Sequence, residues 1–289
     1  MVCFLSQQFP QRQRGETSLR DELHITPYLS SHLTIIYMTV FRALWRSHSN
    51  ISSVTLSTRA LAVFSPVPLT PEVKQKIADK GGNLQYIIAP DMEHHISITP
   101  WSKAYPNAKV IGPGGLPEKR QKNGGEDAQI PFSTVITKEN KNTARIGEDF
   151  DRDFEYELVD AHPNQELVFC YKPDRTLIEA DLMFTGPPNE QYSRTGENVS
   201  KGWVSWLVKK IQGTEGEALG QKRMLWYAFS AKDRSSFNQS VKRINSWDFN
   251  RIIPCHGDVV ETNGKSVFQK VFEWHLQDYK GHHVGDRGN

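Results

Sequence analysis

Four times between Leu84 and Asp258 a short aliphatic run ends and a histidine or aspartate follows within a few positions. Tyr86-Ile87-Ile88-Ala89 leads into Pro90-Asp91-Met92-Glu93-His94-His95, and the run from Tyr156 to Asp160 leads into Ala161-His162-Pro163. The run from Thr176 to Ala180 leads into Asp181, and that from Arg251 to Pro254 into Cys255-His256-Gly257-Asp258. Short β-branched runs bounded by turn residues read as buried strands. In layered α/β folds strand ends meet at one rim, where loops are free of packing duties and ligands bind. Imidazole and carboxylate groups gathered on such a rim make a site for a borderline divalent ion.

Each signal alone has a plainer reading. A single histidine past a strand is more often solvated or hydrogen-bonded than ligating. Neighbours in an extended segment point to opposite faces, so only one of His94 and His95 need face a site. Asp181 also suits a turn or a pairing with Arg175, and Asp258 suits a tight turn at Gly257. The joint occurrence of all four segments, in order, carries the argument.

The texture around these segments is that of one compact α/β domain over about 54–278. Ala60 to Pro66 reads as a strand. Thr70 then caps a helix with Pro71 at its first position and Glu72 in its first turn, running to about Lys80 before Gly81-Gly82. Leu84 to Ala89 and Ala108 to Gly112 read as strands, Trp101 to Tyr105 as a short helix, and 124–136 as irregular. Phe154 to Val159, Leu167 to Tyr171 and Thr176 to Ala180 read as three strands, close enough together to favour antiparallel pairing. Lys232 to Trp247 and Lys265 to Leu276 read as helices flanking an Arg251 to Pro254 strand. The stretch at about 186–220 reads as an insertion with an aromatic island at Trp203, Trp206 and Leu207.

The first fifty residues are rich in Gln, Arg and Ser, hold no lasting apolar period, and read as an irregular extension. Met38 opens a more protein-like stretch within them. Arg12, Arg14 and Arg20 with nearby serines share features of a mitochondrial transit peptide, but Glu16, Asp21 and Glu22 run against it. The leading expectation is therefore a cytoplasmic protein. Cys3, Cys170 and Cys255 form no disulfide framework. With 35 Lys plus Arg against 33 Asp plus Glu, no basic excess points to nucleic acid. No window has the ~18 apolar residues of a membrane span; the Leu33 to Leu44 run is broken by Thr34, Thr39 and Arg42.

The order of the motifs resembles the metallo-β-lactamase superfamily across roughly Leu61 to Leu276. Ala161-His162-Pro163-Asn164 is similar to that family's Gly-His turn. Glu179-Ala180-Asp181-Leu182-Met183-Phe184 is similar to its Gly-Asp-x-Leu-Phe segment, and Ile253-Pro254-Cys255-His256-Gly257-Asp258 to its late Pro-x-His-Gly segment. The closest likeness is to a branch from fungi and bacteria with a His-His pair and a downstream Trp in place of the complete first motif. Laid ungapped on the His-x-His-x-Asp-His motif, Pro90 and Met92 stand at the two leading histidines, with His94 and His95 at the last two positions. A one-residue shift instead places Asp91, Glu93 and His94 on the second, third and fourth motif positions, with Ala89 at the leading histidine.

The resemblance implies an αββα four-layer sandwich, and the incomplete first motif, which does not support a complete two-metal centre, leaves a single divalent ion with zinc the leading choice. The implied ligands are His94, His95, His162, Asp181 and His256, with His94 and Asp181 also in the catalytic role. Asp91, Glu93 and Cys255 are secondary candidates. The implied activity is hydrolysis of an ester, thioester or amide in a small-molecule substrate. The alternative is a catalytically silent binding module of the same fold.

Overall fold

A computed structural model describes residues 48–186 and 213–279, together with the strands Leu23–Thr26 and Leu33–Thr39. Most of the aromatic insertion, including Trp203, Trp206 and Leu207, lies outside the described residues. Two sheets form the centre. The first has seven strands in sequential order: β1 (Leu23–Thr26), β2 (Leu33–Thr39), β3 (His48–Thr55), β4 (Leu61–Phe64), β5 (Leu84–Ile88), β6 (Lys109–Pro113) and β7 (Thr134–Ile136). β1 to β4 pair antiparallel, whereas β4 to β7 pair parallel through helical crossovers. The second sheet has the order β11 (Arg251–Ile253), β10 (Thr176–Ile178), β9 (Glu166–Tyr171), β8 (Phe154–Val159).

The elements follow local chemistry. α1 (Pro71–Asp79) begins where the Thr70 side chain accepts from the Val73 N–H at 3.4 Å, and it ends before Gly81 and Gly82, both at positive φ. α2 (Ile98–Ala104) starts earlier than Trp101. α3 (Leu116–Asn123) is not among the expected elements, and β7 falls in the 124–136 stretch that reads as irregular. The mean polarity of α3 explains this, since only Leu116 and Arg120 of that helix are buried. α4 (Glu148–Asp153) precedes β8, and α5 (Leu219–Met224) runs into a π-helical turn at Leu225–Phe229. α6 (Arg234–Ser246) is capped by Asp233. The single terminal helix expected from Lys265 to Leu276 is broken at Phe272 into α7 (Gly264–Val271) and α8 (Glu273–Leu276).

Alternate residues along the strands define the layers. Phe64, Tyr86 and Ile88 of the first sheet meet Phe154, Phe169 and Tyr171 of the second, with Phe150 stacked on Phe154 at 4.4 Å. Val63 and Ile87 face outward onto Val73, Ile77 and Trp101 of the first helical layer. Val168 and Cys170 face outward onto Phe237, Val241 and Phe268 of the second. The result is the expected αββα sandwich. Each fully buried Phe contributes on the order of 2 kcal/mol through removal of apolar surface from water.

Before Val54 the first sheet continues through β1, β2 and most of β3. Leu33-Thr-Ile-Ile-Tyr-Met-Thr39 is dense in β-branched and aromatic residues, which suit a pleated surface. Among the described residues, no helix is long and apolar enough to cross a membrane.

Candidate metal centre

The parallel pairing of β10 and β11 sets Ile178 opposite Ile253. Asp181 and His256 each follow three residues later, so register alone brings them to one edge. A bridge between Thr185 and Gly257 holds the two loops together beyond that point. Gly257 has φ +113°, and a Cβ there would lie 2.7 Å from the Thr185 backbone, so only glycine fits.

The third segment comes from the loop after β5, in the other sheet. Asp91 is fully buried, and its Oδ1 accepts the Glu93 and His94 backbone N–H groups, both at 2.7 Å. Its Oδ2 lies 2.8 Å from His94 Nδ1. That contact fixes the imidazole and leaves Nε2 aimed at His256 Nε2, 3.1 Å away. His256 Nε2 is in turn 3.5 Å from Asp181 Oδ1. One ligand atom from each of His94, Asp181 and His256 lies within 4.8 Å of the others.

Burial works to lower the His94 pKa, but the hydrogen bond and charge of Asp91, with Asp181 and Glu93 adding, raise it to about 9. Burial pushes Asp91 up, yet its bonds to His94 prevail and hold it below the usual carboxylate range. This is the arrangement of a histidine ligand with a carboxylate behind it, which fixes the tautomer and makes the exposed nitrogen more basic.

The other residues singled out in the sequence lie elsewhere. His95 is buried against Arg120, whose Nη1 sits 3.2 Å from His95 Nδ1 and donates to the His95 carbonyl at 2.9 Å. Burial, Lys119 and Arg120 together push its pKa down to about 4. His162 is buried edge-on to Phe229 at 5.0 Å, and burial lowers its pKa to about 4. Its Nε2 makes no well-formed hydrogen bond, and the charges of Asp181 and Asp91 act against the effect of burial. Glu93 turns outward to Lys119 at 3.0 Å. The buried Cys255 thiol lies 2.8 Å from Ser65 Oγ, and burial raises its pKa. None of these four joins the converging donor atoms of the described residues.

Three supporting residues escape a search for ligands. Asn164 Nδ2 donates to Asp181 Oδ2 at 2.8 Å. Glu166, fully buried, accepts the Ala180 and Asp181 N–H groups at 2.8 Å each. Arg120 is buried among His95, Thr99 and Asp127. Asn164 had one visible cue, its place beside His162 in the turn; Glu166 sits within an apolar run and had none.

The donor set suits a borderline divalent ion. Two nitrogens bound at ~2.0–2.1 Å to a tetrahedral ion lie roughly 3.3 Å apart, close to the 3.1 Å between His94 Nε2 and His256 Nε2. A carboxylate oxygen and two imidazoles match the ligand chemistry of zinc and its neighbours.

Solved structures with similar folds are metallo-β-lactamase-fold proteins. VMB-1 shares 13% identity at TM-score 0.54, over 89% of this chain and 98% of that one. The metallo-β-lactamase from Hirschia baltica shares 9% at TM-score 0.54, over 88% and 97%. The Flv1 flavodiiron core from Synechocystis shares 11% at TM-score 0.58, over 88% of this chain and 61% of that one. No family model matches the sequence, and no curated protein matches it. The chain therefore has the metallo-β-lactamase fold.

Proposed function

We propose that this protein is a metal-dependent hydrolase-like enzyme that holds one divalent ion, zinc by its donor chemistry, at His94, Asp181 and His256. Its substrate is a small molecule with an ester, thioester or amide bond. The observation that carries the reading is the facing pair of imidazole Nε2 atoms at 3.1 Å with Asp181 beside them. A bound ion supplies Lewis acidity and lowers the pKa of a coordinated water from 15.7 towards ~7. The FIM-1 metallo-β-lactamase from Pseudomonas aeruginosa, solved in a mono-zinc form, is a precedent for one ion in this fold.

The chain's own residues divide the remaining work. Asp91 orients His94 and keeps its Nε2 turned to the centre. Asp181 has one oxygen held by Asn164 and the other facing His256, so it fixes negative charge at the centre. His95 and His162 stand outside the donor group, which supports one ion rather than two.

Metal analysis after chelator-free purification, paired with hydrolysis of chromogenic ester, thioester and amide probes, tests this. The expected result is one ion per chain and cleavage of one probe class, both lost in His256→Ala. A wild-type chain without stoichiometric metal overturns the reading. Metal without cleavage of any class leaves a metal-binding module as the function.

A further inference from the structure

The loops that carry His94 and Asp181 belong to different sheets, so something must fix their separation. The turn between β8 and β9 touches both. The Asn164 carbonyl accepts the Met92 N–H at 3.0 Å, inside the His94 loop. The Asn164 side-chain amide donates to Asp181 Oδ2 at 2.8 Å. Two residues on, Glu166 clamps the Ala180 and Asp181 N–H groups, and the Leu167 N–H donates to the Pro90 carbonyl at 2.6 Å.

We infer that Asn164 is the positioning residue of the metal centre, tying the two ligand loops together and keeping Asp181 Oδ1 turned towards His256. The inference rests on the metal reading above. One amide donating to Oδ2 holds the carboxylate against rotation. Without it, Asp181 is free to turn, and its second oxygen competes for the ion. Outer partners of this kind are typically worth about 10–100-fold in metal affinity.

Asn164→Ala removes the amide and keeps the backbone carbonyl that bonds Met92. Cobalt(II) serves as the probe, with affinity measured by chelator competition and geometry by its visible absorption. Asn164→Ala is expected to weaken cobalt binding by about 10–100-fold and to shift the absorption band, with the metal-free protein still unfolding cooperatively. Asn164→Ser, a turn former too short to reach Asp181, is expected to behave the same way and covers the case in which the alanine variant does not fold. Cobalt affinity within about twofold of wild type with an unshifted band, a difference under ~0.5 kcal/mol, overturns the inference. A wild-type chain that takes up no cobalt overturns the metal reading itself, which separates the two failures.

Discussion

Two histidines, one half-buried and one fully buried, occupy contrasting parts of the sandwich. His94, on the rim, has the Asp91 carboxylate at its back and a pKa raised to about 9. His275, in the second helical layer, is wholly buried among Trp226, Phe237 and Phe272, with Ser230 Oγ 3.1 Å from its Nε2. There burial, with the nearby Arg234 charge, pushes the pKa down to about 4. Burial acts on both rings in the same direction. A carboxylate within hydrogen-bond reach reverses the outcome, and it separates an imidazole that presents a basic nitrogen from one that fills space.

The largest effect is expected where the helical layer carries the rim. Phe237 is fully buried, 4.8 Å from the His275 ring and 6.5 Å from that of His162. Phe237→Ala should cost about 3–5 kcal/mol in urea unfolding. A loss below ~1 kcal/mol would show that this layer does not support the turn bearing His162.

His275 gives the next test. Its folded pKa of about 4 lies below the ordinary 6.5, so the unfolded chain binds a proton that the folded one refuses. The group's contribution is fully present above pH 6.5 and is lost as pH falls to about 4, up to ~3 kcal/mol. The stability gap between wild type and His275→Gln should therefore narrow over that interval. A constant gap would mean that the ring binds its proton equally in the folded and unfolded chains, so that burial does not shift it, and the contrast with His94 would collapse.

Asp91→Asn sharpens the rim side. It keeps the shape but removes the charge behind His94, and should weaken cobalt binding by about 10–100-fold in chelator competition. Unchanged affinity would mean that Asp91 only shapes the loop. The smallest expected effect is that of His95→Gln, which should leave cobalt affinity within about twofold. The same variant should lose ~1–3 kcal/mol of stability, because Arg120 is left with a buried donor unpaired.

The rim was more legible in the sequence than what supports it. Strand ends are marked by composition, so His94, Asp181 and His256 could be placed on one edge from pattern alone. Which of the paired His94 and His95 turns inward could not, because Asp91 and Arg120 decide it through contacts with no fixed spacing. Asn164 and Glu166 act on Asp181 across 17 and 15 residues of chain, and their residue types fit an ordinary turn and strand.

The central claim is that His94, Asp181 and His256 hold one ion. The most direct measurement is the metal content of the wild-type chain and of His256→Ala after chelator-free purification, with circular dichroism confirming that both are folded. One divalent ion per wild-type chain and a near-complete loss in the variant is the predicted result. No stoichiometric ion in the wild type, or two per chain, would contradict it.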